Sequence, residues 1–76
     1  MTEAQAREIM KNYYTEDEEG NKYYFDIIGC ERSASDYCIL VCVLRGAPIP
    51  KNELDCPHFW VGEDGSVSAI PMRKND

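Results

Sequence analysis

The sequence predicts an α+β domain in which one N-terminal helix packs on a four-stranded antiparallel β-sheet of meander order. Three observations lead there. Apolar residues near the start recur at helical spacing behind a capping box, two later runs are dense in aromatic and β-branched residues, and an Asp-Gly pair joins two further strand-like runs. The 76 residues leave room for one domain with one small core, because a chain this short buries only about 60% of the surface its unfolded form exposes.

Thr2 stands three residues before Gln5, the spacing at which each side chain satisfies the other residue's backbone N–H at a helix start. Ala6, Ile9, Met10 and Tyr13 then share one face, so a helix is expected over about residues 3–14. Three turns are too few to hold in water alone. The stripe therefore needs a sheet to cover.

Thr15 to Asn21 is acidic and ends in Gly20-Asn21, which reads as a solvated turn. The first strand is expected at about residues 22–30, with Tyr23, Phe25 and Ile27 on one face and Tyr24, Asp26 and Ile28 on the other. Glu31 to Asp36 reads as a loop. Tyr37 to Arg45 is apolar on both parities, the pattern of a central strand over about residues 37–45. Pro48 and Pro50 cannot continue a ladder, so a connection is expected over about residues 46–57. Strands at about 58–62 and 66–70 flank Glu63-Asp64-Gly65, a tight hairpin signal. Nothing in this order supplies the crossover helix that a parallel sheet needs.

The formal net charge is −6, which repels phosphate backbones at long range and favours a partner with a basic surface. Direct nucleic-acid binding is not expected. The nearest basic candidate, Arg73-Lys74, reads as solvated chain end. No apolar run approaches the ~18 to 20 residues of a bilayer-spanning helix, and the opening MTEAQAREIM lacks the basic start and apolar centre of a secretory signal. A cytoplasmic protein without membrane contact is the expectation.

The four cysteines are expected to be reduced. Cys38 and Cys42 lie in one apolar strand, where side chains four residues apart point the same way but put their sulfurs roughly 13 Å apart. A zinc site would have to draw on Cys30, Cys56 and His58, without any C-x-x-C pair to anchor it. A thiol enzyme would need Cys56 or Cys30 beside His58 with Asp55 or Asp26 orienting the ring, and no glycine-rich oxyanion loop accompanies them. Neither cofactor nor catalysis is expected. The acids Glu16, Asp17, Glu18 and Glu19 lack the alternating oxygen spacing of a calcium loop.

What remains is aromatic surface. Tyr14, Tyr24 and Trp60 fall out of phase with Tyr13, Phe25 and Phe59, the residues expected to face the core, and Tyr and Trp are the side chains that anchor protein interfaces. The expected binding site is therefore Tyr14, Tyr24 and Trp60, with Glu16, Asp17, Glu18 and Glu19 steering a basic partner toward it.

The opening TEAQAREIMKNYY, and the closing pattern Pro57, Phe59, Val61, Asp64-Gly65 and Val67, resemble small α+β domains of the PepSY and YrhB-like type. Some of these are immunity proteins that neutralise a toxin, so the resemblance implies a non-enzymatic binder that occludes another protein. The leading expectation is thus a small acidic protein-binding module of inhibitor or immunity type. The alternatives are a metal- or ligand-binding domain using Cys30, Cys56 and His58, and an acidic mimic of nucleic acid that blocks a basic groove.

Overall fold

The computed structural model describes residues 1–52 and 55–71, so Arg73-Lys74 lies outside the described residues. The elements run α1 (Glu3–Met10), β1 (Tyr14–Glu16), β2 (Lys22–Ser33), β3 (Tyr37–Leu44), β4 (His58–Gly62) and β5 (Val67–Ile70). The five strands form one sheet in sequence order, and every neighbouring pair is antiparallel. The α+β class and the meander are as expected. Among the described residues no helix is long and apolar enough to cross a membrane.

The capping box forms: Gln5 N donates to Thr2 Oγ1 at 3.2 Å, and Thr2 N donates to Gln5 Oε1 at 2.8 Å. Glu3 lies in the first turn and Arg7 in the last, each complementing the helix dipole. The two also pair with each other at 2.8 Å. The helix stops at Met10, not at residue 14 as the spacing predicts. Lys11 N still reaches Arg7 O, but Tyr13 N then bonds Met10 O in a tighter turn. Tyr14 enters the sheet beside Tyr24. A cross-strand aromatic pair and a new ladder outweigh one further helical turn.

The sheet therefore has five strands, not four. The added strand is a three-residue edge, and the other edge, β5, has four residues. Edges this short offer little template for pairing with another chain. β2 also runs on through Ser33, so residues 31–33 belong to the ladder and not to a loop. It gets there by two register shifts, between Ile27 and Gly29 and between Cys30 and Arg32. Each inserts an extra residue opposite β3 and bends the strand.

Gly65 closes the β4–β5 hairpin at φ +88, a conformation side chains with a Cβ rarely adopt. Asp64 Oδ1 accepts from both Ser66 N and Ser66 Oγ, so the Asp-Gly turn forms where expected. β5 begins one residue later, at Val67.

The core lies between α1 and one face of the sheet. Ala6 and Met10 of the helix meet Cys38, Leu40 and Cys42 of β3 and Phe59 and Val61 of β4, all 2% exposed or less. Tyr13, Phe25 and Ile27 pack around them, and the rings of Tyr13, Phe25 and Phe59 lie 4.9 to 6.4 Å apart. Full burial of side chains such as Leu40, Val61 and Phe59 stabilises the fold by roughly 1.5–3 kcal/mol each.

Candidate functional site

Strand parity assigns the other face. Asp26 pairs with Val43, Ile39 with Trp60, and His58 with Ile70, while the neighbours of opposite parity belong to the helix-side core. Tyr14, Tyr24 and Trp60 all lie on this helix-free face. Tyr14 and Tyr24 pair at one end of it, and Trp60 pairs with Tyr37 at the other.

At one end Tyr14 and Tyr24 are direct cross-strand partners, with ring centroids 5.7 Å apart. Tyr14 is 42% exposed. Both rings are attended by cations: Lys22 Nζ sits 4.9 Å from the Tyr14 centroid, and the Arg45 guanidinium 5.3 Å from that of Tyr24. Arg45 also holds Asp26 at 3.2 Å. Glu16 at the end of β1 and Asp17 to Glu19 in the neighbouring β1–β2 turn are opposite in sign to these cations.

Those four acids have different roles. Asp17 builds its turn: Oδ1 accepts from Glu19 N and Asn21 N, and Oδ2 accepts from Asn21 Nδ2 and the Tyr23 hydroxyl. The side-chain bonds from Asn21 and Tyr23 lead in holding its carboxyl down to about 2. Glu16 faces Lys22 across the ladder. Glu18 and Glu19 are exposed at the tip.

At the other end Trp60 stacks on Tyr37, with centroids 5.9 Å apart and planes 21° from parallel. Tyr37 was not among the residues singled out from the sequence as candidate anchors. Its direct partner is Gly62, so no side chain faces it from across the ladder, and the Trp60 ring fills the gap. A Cβ built at Gly62 would lie 2.7 Å from Cη2 and Cζ3 of the indole. The sequence signal, a glycine two residues after a tryptophan on one strand face, is present but has meaning only once the register places Tyr37 opposite. Asp36, Glu63 and Asp64 border this pair, with Glu63 N donating to Asp36 O at 3.1 Å.

The centre of the face is closed. Val41 and Val43 are only 4% and 6% exposed. The two aromatic pairs are therefore separate, each beside an acidic turn, and not one continuous patch; Tyr14 is exposed, and Tyr24, Tyr37 and Trp60 are half-buried.

The proposed trio of metal ligands is dispersed. Cys30 packs on the helix-side core, whereas His58 pairs with Val41 and Ile70 on the other face. The His58 ring is already engaged, Nδ1 with Cys56 O at 2.8 Å and Nε2 with Glu31 Oε2 at 3.3 Å. Among the described residues no group of three or more His, Cys, Asp or Glu is placed to hold a metal ion.

All four cysteines are free thiols. Spacing within one strand makes Cys38 and Cys42 the pair to weigh for bridging, but the structure brings Cys38 to Cys30 on the neighbouring strand, with sulfurs 3.4 Å apart. Burial, followed by the hydrogen bond with Cys30, pushes the Cys38 thiol up to about 11, and burial pushes Cys42 up to about 12.

Comparison with protein-family models, curated proteins and solved structures found no match.

Proposed function

We propose that the chain is a non-enzymatic protein-binding module of inhibitor or immunity type, whose helix-free sheet face docks a partner with a basic surface. One observation carries the reading. Tyr14 with Tyr24, and Trp60 with Tyr37, occupy the face that the helix leaves uncovered, each ring pair beside an acidic turn. Aromatic side chains of this kind supply large contact area with little conformational freedom to lose. The net charge of −6 complements a basic partner and steers its approach. The resemblance to PepSY and YrhB-like immunity domains points the same way; the encounter itself is proposed to take place in the cytoplasm.

The test is a two-stage binding measurement. A partner captured from native cytoplasm is purified and titrated with the parent protein and with Tyr14→Ala, Tyr24→Ala and Trp60→Ala, each checked for folding by thermal melting. A true anchor loses about 2 kcal/mol or more of binding, whereas joint neutralisation of Glu16, Glu18 and Glu19 mainly slows association and flattens its salt dependence. Undiminished binding by all three folded aromatic variants overturns the reading. If binding instead vanishes on neutralising the acids alone, the chain acts as an acidic mimic of nucleic acid.

A further inference from the structure

On the helix side of the sheet, away from the proposed docking face, we propose that Cys30 and Cys38 form a modification site: a dithiol that low-molecular-weight disulfides convert to an intramolecular disulfide. The sulfurs are 3.4 Å apart, and bond formation requires closing to roughly 2.0 Å. Two features of the fold make that approach accessible.

The first is the register. Cys30 lies opposite Leu40, and Cys38 lies opposite Ser33, so the two cysteines are diagonal neighbours instead of direct partners. Diagonal positions in a regular ladder are about 7–8 Å apart at the backbone, too far for an easy bridge. Here the extra residue between Cys30 and Arg32 breaks the ladder next to Cys30, and a bulge of this kind bends and twists its strand. The bend explains how the sulfurs meet, and the interrupted ladder supplies the local give for the last step.

The second is unequal access. Cys38 is 0% exposed, while Cys30 is partly exposed at the rim of the core. Cys30 is therefore the thiol an incoming reagent meets, and Cys38 is the resolving thiol behind it. The Cys30 thiolate attacks one sulfur of the small disulfide, which forms a mixed disulfide and releases one small thiol. Cys38 then gives up its proton and attacks Cys30 Sγ, which forms the protein S–S bond and expels the second small thiol. Two protein thiols have lost two electrons, and the small disulfide has gained them as two thiols.

Cys42 and Cys56 do not compete. Both are fully buried, so they present no sulfur to the reagent.

The experiment exposes the native full chain to excess oxidised glutathione, traps remaining thiols with N-ethylmaleimide, and maps adducts by mass spectrometry. The parent is expected to lose two of its four thiols, keep no glutathione, and give a peptide containing Cys30 linked to one containing Cys38. Cys38→Ala is expected to stop at one glutathione on Cys30, and Cys30→Ser to remain unmodified. If the Cys38 variant does not fold, the time course of the parent still decides, because a transient glutathione adduct on Cys30 must precede the linked peptides. A parent that accumulates a stable glutathione adduct, that keeps all four thiols, or that links any other cysteine pair overturns the proposal.

Discussion

Trp60 lies over Gly62 and stacks on Tyr37, so close to the glycine that a single methyl there would stand 2.7 Å from the indole. The position of the ring is thus set by what Gly62 lacks. In a sheet, an aromatic neighbour that covers a glycine restores the packing the missing side chain would have supplied.

Gly62→Ala is expected to push the indole off Tyr37 while leaving the helix-side core intact. The displaced ring is only half-buried, so the penalty is expected at about 1 kcal/mol, the lower end of overpacking effects. Near-ultraviolet circular dichroism and tryptophan emission should both change, with far-ultraviolet signal retained. Unchanged aromatic spectra would contradict the stacking.

Neighbouring residues of β4 should respond unequally to truncation. Phe59 is 2% exposed and touches the rings of Tyr13 and Phe25, so Phe59→Ala should lose about 3–5 kcal/mol of stability. Trp60 is half-buried on the other face, and Trp60→Ala should lose clearly less. Denaturant unfolding measures both; equal losses would mean that the parity assignment of β4 is wrong.

Asp17 gives the β1–β2 hairpin a pH dependence of definite sign. Its carboxyl is lowered from 3.8 to about 2 by the bonds it accepts in its own turn. A depressed carboxylate stabilises the folded state above its unfolded value, and that contribution fades as pH falls from about 4 through about 2. The parent should therefore melt higher than Asp17→Asn at pH 6, and the two melting curves should converge toward pH 2. A gap that stays constant across this range would show that the charge of Asp17 does not contribute.

Local chemistry made much of the fold legible. The capping box at Thr2 and Gln5, the two-parity apolar run of β3 and the Asp64-Gly65 turn each act through residues adjacent in sequence. The boundaries that shifted depend on distant partners. Tyr14 leaves the helix because Tyr24 is available to pair with it, and a three-residue strand is too short to show a period of its own. β2 extends past Cys30 only because bulges keep it in contact with β3.

The same distinction runs through the sites. Phase alone placed Tyr24 and Trp60 away from the core, because side chains alternate along a strand, and placed Tyr14 off the apolar stripe of a helix that ends before reaching it. Phase could not say that Trp60 would find Tyr37, or Cys30 find Cys38. Both meetings are diagonal, and a diagonal is known only when the register is known.

The central claim is that the helix-free face meets the partner, and side-chain oxidation footprinting of the purified complex tests it most directly. The account predicts that Tyr14, Tyr24, Tyr37 and Trp60 become protected when the partner binds, while Met1, on the helix side of the sheet, keeps its rate. Protection of Met1 with the four aromatic residues still reacting as in the free protein would contradict it.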